Sequence, residues 1–379
     1  MTIKPLLYSK DTIEQLPWAD TIHSAPERQI LTAFITSGPE RYIKNAHTQT
    51  KALLIGNLVL PITICESPNH SAYVCSPFTH YVTYGREEIN SLKNPILRKM
   101  LISFLEIFGK VLKSCLIDKN VFVNNWLFPT NLHANLSVKE INAITQTLVS
   151  HFPDHAILFR SVSSNHPSHF FNNLKNSGYS LVMSREVYFT DPTNEAAFKS
   201  RMFKSDQKLL NNSPYKVISD IKTLRESAPR IKELYEMLNI QKYSKCNPQY
   251  SEEFIKLALD TGWMTFKGFE KEGKIDGVFG YFSKDQIMTS PFFGYDTSLP
   301  SEIGLYRQIA TQLLLDAKEK NMLLHQSAGA GHYKKLRRAK DFPEYTAVYY
   351  RHLNFKRKAC WLALKKLMDT FGKQFMKNE

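Results

Sequence analysis

The sequence predicts an α+β (mixed α/β) protein in which one fold is used twice. Each copy is expected to be a mixed, largely antiparallel sheet with helices on both faces. Three observations carry that expectation. In the second half, apolar periodicity switches between strand-like and helix-like patterns. The order there is strand Ile287–Tyr295, polar loop Asp296–Ile303, helix Gly304–Asn321, strand Met322–Ser327, hinge Gly329–Gly331, basic turn Lys334–Lys340 and strand Tyr345–Arg351. The first half reads in the same order, with strand Tyr73–Tyr84, helix Asn94–Leu116, strand Val121–Trp126 and final strand Leu181–Phe189. Ser76-Pro77-Phe78 with Tyr81 also returns as Ser290-Pro291-Phe292 with Tyr295, all at an offset of 214 residues.

Taken in order, the stretch to about Thr50 mixes helical and loop signals, with Pro26 marking a helix start. Strands are expected at Ala52–Gly56 and Leu60–Cys65. The helix Asn94–Leu116 places Leu97, Leu101, Phe104, Leu105, Phe108, Val111, Leu112 and Cys115 on one face, as a helix packed on a core would. Ser137 and Glu140 have capping-box spacing and open a helix to His151. Strand Ala156–Val162, a helix to Ser177 and strand Leu181–Phe189 complete the first half, with Gly178 placed as a helix C-cap. Asp191-Pro192 divides the chain, so the expected domains are 1–190 and 191–379. Beyond it, Thr223 and Glu226 are expected to cap a helix to about Gln241, and Ser251 opens another to Asp260. Trp263–Lys271, Lys274–Ser283 and Ile287–Tyr295 form an antiparallel meander that turns at Gly273.

At 379 residues the chain has room for two domains of ordinary size. Hydrophobic residues make up 43%, with 24 Phe and 18 Tyr, which excludes a disordered chain. Cys65, Cys75, Cys115, Cys246 and Cys360 are odd in number and scattered, with no Cys-x-x-Cys pair. That argues against a disulfide framework or a zinc site and for a reducing compartment. The opening Met1–Lys10 has too short an apolar run for a secretory signal, and Leu53–Ile64 is interrupted by Asn57 and Pro61. A cytoplasmic location is the expectation. Net charge is +14, and residues 330–379 hold 13 Lys or Arg against 4 Asp or Glu. Such a focus favours an anionic partner, although a solvated basic face would give the same count. His-Glu-x-x-His, Gly-x-Ser-x-Gly, a Walker loop and the three-glycine dinucleotide fingerprint do not occur. Metal hydrolysis, serine esterase chemistry and nucleotide hydrolysis lose support accordingly.

Five clusters remain. They are Lys242-Tyr243-Ser244-x-x-Asn247-Pro248-Gln249-Tyr250, Gly294-Tyr295-Asp296, Gly304-Leu305-Tyr306-Arg307, Ser327-Ala328-Gly329-Ala330-Gly331-x-Tyr333-Lys334-x-x-Arg337 and Glu344-Tyr345-Thr346-Ala347-Val348-Tyr349. Through them Tyr235–Leu353 resembles the GNAT acyltransferase superfamily in its two-domain form, the form of the Fem-type peptidyl aminoacyltransferases and the CelD-like proteins. The first half resembles it by order of elements alone. The resemblance implies tandem GNAT-like domains, the second catalytic and the first degenerate. It also implies direct transfer of an acyl or aminoacyl group from a thioester or aminoacyl-tRNA to an amine or hydroxyl, with no tightly bound cofactor. One departure matters. GNAT acetyltransferases hold the coenzyme A pyrophosphate on a Gly-rich loop at a helix N-terminus. Here Thr297–Gly304 has one glycine, Pro300 without an N–H, and the acidic Glu302.

Acyl transfer needs a polarised donor carbonyl, an acceptor that loses its proton, and both held in line. The resemblance places the donor where strands Ile287–Tyr295 and Met322–Ser327 splay apart. Tyr295 would assist the leaving group and Asp296 would accept the proton, unless Asp296 serves as an Asx-turn residue. His332 is a second candidate base, whereas His325, inside a strand, reads as structural. Tyr333-Lys334 resembles the aromatic–lysine pair of Fem-type enzymes, whose lysine would stabilise a developing oxyanion. Gly304, Arg307, Gly329, Gly331 and Arg337 are the expected donor contacts, with Lys334 and Arg337 spaced to clamp a phosphate. Tyr243, Ser244, Asn247 and Tyr250 are the expected acceptor contacts, and no metal site is expected. The partners implied are an anionic donor (acyl-CoA, acyl carrier protein or aminoacyl-tRNA) and a small-molecule or cell-envelope precursor acceptor. The C-terminal helix carries Trp361, Leu364, Met368, Phe371 and Phe375 on one stripe, which packs on its own domain or makes a peripheral membrane contact. A non-catalytic GNAT-fold protein that binds RNA or a carrier protein is the other reading.

Overall fold

Apolar runs broken by turn residues form paired β-strands in each half of the chain in the computed structural model, which describes residues 4–66, 71–90, 92–165 and 169–375. The chain divides into two units. Among the described residues, unit 1 takes those up to Arg185, then Cys246–Gln249, and residues 343–375; unit 2 takes Glu186–Lys245 and Tyr250–Phe342. The division expected at 190/191 differs from this, because residues 343–375 join the first unit rather than the second.

Unit 1 contains β1 (Leu6–Tyr8), β2 (Gln49–Ile55), β3 (Leu58–Cys65), β4 (Asn120–Val123) and β5 (Ala156–Ser163), in that spatial order, followed by residues 344–349 of the chain's last strand. Neighbours are antiparallel except β4 and β5, which run parallel from Asn120 opposite Ala156 to Val123 opposite Phe159. The helix Val138–His151 makes the crossover. Its start is the expected capping box, with Ser137 accepting from the Glu140 N–H and the Glu140 carboxylate accepting from the Ser137 N–H. Ile141, Ile144 and Leu148 then pack on Ile62, Val121 and Phe159 of the sheet.

Unit 2 repeats the plan. Its strands are β6 (Ser180–Thr190, from Glu186), β7 (Lys216–Ile218), β8 (Thr265–Lys271), β9 (Lys274–Lys284), β10 (Ile287–Tyr295) and β11 (Leu323–His325), in the order β6-β11-β10-β9-β8-β7. Here β10 and β11 form the parallel pair, joined by the helix Leu305–Glu319. Its buried Leu305, Ile309, Leu313 and Leu314 pack with Phe279, Met288 and Leu324. The last strand, β12 (Lys340–Tyr349), pairs with β5 in unit 1, while β6, the last strand of the first half, pairs with β11 in unit 2. Each unit's run of strands therefore includes one strand from the other half of the sequence.

The repeat is real, but its expected anchor is not. Tyr73–Tyr84 is no strand: it forms a turn and then a π-helical segment, Thr79–Tyr84. The Ser76 hydroxyl accepts the Thr79 N–H at 2.9 Å and donates to Asp118 at 2.9 Å, whose other oxygen accepts the Phe78 N–H at 2.8 Å. Those bonds start a helical turn, whereas Ser290-Pro291-Phe292 lies within β10, where the Ser290 hydroxyl donates to the Gly280 carbonyl. The counterpart of β10 in unit 1 is β4. The shared tripeptide carries no structural equivalence.

Two further expectations change. The basic turn is a short helix, Gly331–Leu336. The C-terminal helix Phe355–Phe375 buries Cys360, Trp361 and Leu364 against Leu112, Phe122 and Leu158 of unit 1, so the described part of its apolar stripe packs on its own unit's core. The side chains of Phe371 and Phe375 lie outside the described residues. No helix among the described residues is long and apolar enough to cross a membrane. All five cysteines are free and buried.

Candidate functional site

In unit 2 the parallel strands pair from Ile287 opposite Leu323 to Thr289 opposite His325, and β10 then continues to Tyr295 without β11. Two features of β10 open the pair. Its register against β9 shifts between Thr289 and Phe292, and Pro291 has no N–H to give a ladder. Gly294 allows the helix Ala228–Tyr235 to press on the strand, since a Cβ there would lie 2.6 Å from the Leu234 carbonyl carbon and the Tyr235 nitrogen. That helix runs on as a π-helical segment, Glu236–Tyr243, whose Asn239 side chain donates to the Phe293 carbonyl at 2.7 Å. The segment ends with Lys242 beside Tyr295: Nζ lies 3.4 Å from the phenol oxygen and 5.9 Å from the ring centroid. Single-turn π segments often mark functional positions because they displace a side chain from helical register.

Lys242, Tyr295, Tyr306, Arg307, Gly304 and Pro300 line a cleft of about 250 Å³ at this point. Gly304 adopts a left-handed conformation (φ +66°) before the central helix, and a Cβ there would meet Leu209 at 2.8 Å. Burial pushes the phenol of Tyr306, which lines the cleft, and that of Tyr333 behind it above the usual tyrosine range. Tyr306 stands edge-on to both Tyr295 and Tyr333, at 6.3 and 4.9 Å between centroids. The cleft therefore has an aromatic wall with two cations, Lys242 and Arg307, at its rim. That chemistry fits an anionic or carbonyl-bearing substrate rather than an apolar one.

Asp206 is the residue the sequence did not single out. It is fully buried on the helix Arg201–Asn211 and takes Arg307 Nε on one oxygen at 2.6 Å. Its other oxygen takes Arg337 Nε and, at 3.2 Å, the Tyr333 hydroxyl. Its available signals were Ser200, which caps this helix through the Phe203 N–H, and its position as a lone acid among Arg201, Lys204 and Lys208.

The predicted site residues divide by what holds them. Tyr295, Gly304 and Arg307 meet at the cleft. Asp296 borders it, but its carboxylate accepts from Arg230 and from the Ser298 N–H and hydroxyl. Burial alone would raise its pKa; the bonds from Ser298 and Arg230 outweigh that and hold it at about 2. Asp296 is thus the Asx-turn residue and a poor proton acceptor.

Lys334 and Arg337 do not clamp a phosphate. Lys334 is buried, and its ammonium donates to the carbonyls of Gln326, Ala328 and Ser327 at 2.7, 2.9 and 3.4 Å. It binds the hinge in which Ser327, Gly329 and Ala330 all have left-handed backbone. Arg337 is buried against Asp206, with its guanidinium 3.4 Å from the Tyr333 ring centroid. Gly331 is required because a Cβ would fall 2.1 Å from the Tyr188 hydroxyl, while Gly329 stands in open space. His332 is exposed and does not line the cleft. His325 is buried, with Nδ1 accepting the Ser327 N–H.

The expected acceptor loop does not form one surface. Tyr250 is buried among Tyr235, Phe254 and Phe292, and Ser244 is buried with its N–H on the Asn239 carbonyl. Asn247 belongs to unit 1, where its carbonyl accepts from Asn45. Tyr243 alone is exposed.

No protein-family model matches the sequence, and a search of curated proteins gives no match. Solved structures do match. FemX aligns over 96% of this chain and 100% of its own, with a TM-score of 0.53 at 8% identity. L-PGS from Bacillus licheniformis aligns over 72% and 96%, with a TM-score of 0.46 at 11% identity. A GCN5-related N-acetyltransferase from Kribbella flavida aligns over 60% and 80%, with a TM-score of 0.33 at 10% identity. The alignment with FemX covers nearly the whole chain, and the two share a fold.

Proposed function

We propose that unit 2 transfers an acyl or aminoacyl group directly from an activated donor to an amine or hydroxyl. The observation that carries this reading is the opening of β10 from β11, with the Tyr295 phenol and the Lys242 ammonium at its mouth. The donor carbonyl would lie in the opening, where the acceptor's nitrogen or oxygen attacks it. The new C–N or C–O bond forms as the donor's thioester or ester bond breaks. Tyr295 gives its proton to the departing sulfur or oxygen and takes the acceptor's proton in return, so no proton is gained or lost overall. Lys242 stabilises the negative charge that grows on the phenol oxygen during this exchange. Asp296 positions the loop by holding Arg230 and Ser298. Lys334 acts on the hinge backbone.

For the donor, the one-glycine loop with Pro300 and Glu302 speaks against tight acetyl-CoA binding, and a net charge of +14 favours a polyanion. Aminoacyl-tRNA is the donor this reading puts first, with an acyl thioester second and a cell-envelope precursor or small molecule as acceptor. Native mass spectrometry against charged tRNA and a mixture of short- and long-chain acyl-CoA tests it. One donor class retained by the wild type, and retained less by Lys242→Ala, supports the reading. Retention of neither, or retention unchanged in the variant, contradicts it.

A further inference from the structure

We propose that the outer face of the helix Pro95–Ser114 in unit 1 is a docking surface for an anionic lipid bilayer, on which the protein lies without crossing it.

This helix is apolar on more of its circumference than its fold uses. Asn94 caps its start through the Ile96 and Leu97 N–H groups. Its inner face buries Leu105, Gly109 and Leu112. Gly109 lets Val82 approach to 3.0 Å of where a Cβ would stand. The outer face carries Ile96, Met100, Phe104, Ile107 and Val111 at spacings of four, four, three and four, which is one helical stripe. They are 73%, 65%, 48%, 66% and 47% exposed, and Leu97 beside them is 45% exposed. Leu97, Phe104 and Val111 thus face outward, against the expectation that they join the core. Elsewhere among the described residues the exposed large apolar side chains are scattered, so this stripe stands apart as a contiguous patch.

The remaining face names the occupant. Along the helix Arg98, Lys99, Lys110 and Lys113 stand against a single acid, Glu106, which pairs with Arg86 at 3.2 Å. At 100° per residue, Lys99 and Lys110 border the stripe on the side opposite Leu97, with Ser103 between Lys110 and Ile96. An apolar stripe bordered by lysines is the pattern of a helix lying in a membrane interface, its side chains among acyl chains and its ammonium groups among lipid phosphates. Long lysine stems reach such phosphates while the helix body sinks. A second copy packed on the same stripe would bring two lysine borders toward each other, and the one acid on that border, Glu106, is already paired with Arg86. The proposal stands on unit 1 alone and does not depend on the transferase reading.

Co-sedimentation of the full chain with vesicles tests it, using phosphatidylcholine alone and phosphatidylcholine mixed with phosphatidylglycerol. Met100→Glu with Ile107→Glu removes the stripe's centre, and both sites are exposed, so the thermal midpoint should stay within a degree or two of the wild type. The wild type should bind the mixed vesicles and release them as salt rises. The double variant should bind on the order of a hundredfold more weakly, and Lys99→Glu with Lys110→Glu about tenfold or more. Failure of the wild type to bind mixed vesicles, or equal binding by the Met100/Ile107 variant, overturns the proposal. A solution dimer that this variant dissociates overturns it too, in favour of a second copy.

Discussion

The two units share a parallel strand pair bridged by a helix, and they use it differently. In unit 2, β10 runs on from Thr289 to Tyr295 beyond its last pairing with β11 and lines a cleft. In unit 1, β4 stops at Val123 and the chain turns inward at Asn124, whose backbone is left-handed (φ +54°). Asn125 donates to Thr63 and the Val74 carbonyl, Asn124 donates to the Leu132 carbonyl, and Trp126 Nε1 donates to Asn124. Arg160, buried on β5, donates to the Phe128 carbonyl at 3.1 Å. Every residue from Asn124 to Phe128 is buried. One unit fills the end of its parallel pair with hydrogen-bonded amides, and the other leaves it lined by a phenol and two cations. Strand order alone does not make a site; the residues after the parallel pair do.

The comparison breaks most sharply at the charge that supports each arrangement. Asp206→Ala should destabilise unit 2 by about 3–5 kcal/mol, because it leaves the buried Arg337 without its counter-charge. Urea unfolding followed by tryptophan fluorescence measures it, and a loss under 1 kcal/mol (~1, the range of an exposed pair) would remove Asp206 from the centre of the account. A smaller effect is expected at the hinge. Gly331→Ala should cost about 1–3 kcal/mol through its collision with the Tyr188 hydroxyl. Tyr188→Phe in the same background should restore part of it, and a double-mutant cycle without coupling would refute the contact.

The smallest effects come from pH, and they run in opposite directions in the two units. In unit 1, burial pushes Asp118 from 3.8 up to about 6, against the bonds from Phe78 and Ser76. The folded state therefore holds this proton more tightly than the unfolded chain, and stability falls as pH rises from 3.8 to about 6. Asp118→Asn should flatten that fall. In unit 2, Asp296 sits at about 2, so its contribution is present above 3.8 and is lost as pH drops toward 2. Asp296→Asn should remove that acid-side loss. Urea midpoints measured from about pH 2 to 7 (roughly the span of both windows) separate the two; parallel shifts would contradict the assignments.

Local signals were legible wherever local chemistry decides structure. The Ser137/Glu140 box, the Gly273 turn and the limits of β10 follow from neighbouring residues, and the structure has them. Tyr73–Tyr84 reads as a strand because it is rich in aromatic and β-branched residues, and its true state depends on Asp118, far along the chain. The candidate site was legible in part for the same reason. Tyr295, Gly304 and Arg307 flank one loop and stay together. Lys334 and Arg337 look like a solvent-facing clamp by spacing, yet Asp206 and the Gln326 and Ala328 carbonyls draw them inward. No spacing rule reports a partner more than a hundred residues away.

The central claim is that the open pair in unit 2 does the chemistry and the filled pair in unit 1 does not. Single-turnover transfer from the donor class retained in the binding experiment tests it most directly, comparing wild type, Tyr295→Phe and Arg160→Met. The account predicts a loss of about a hundredfold or more for Tyr295→Phe with its thermal midpoint unchanged, and a wild-type rate per folded molecule for Arg160→Met. Full activity in Tyr295→Phe, or loss of activity in a folded Arg160→Met, would contradict it.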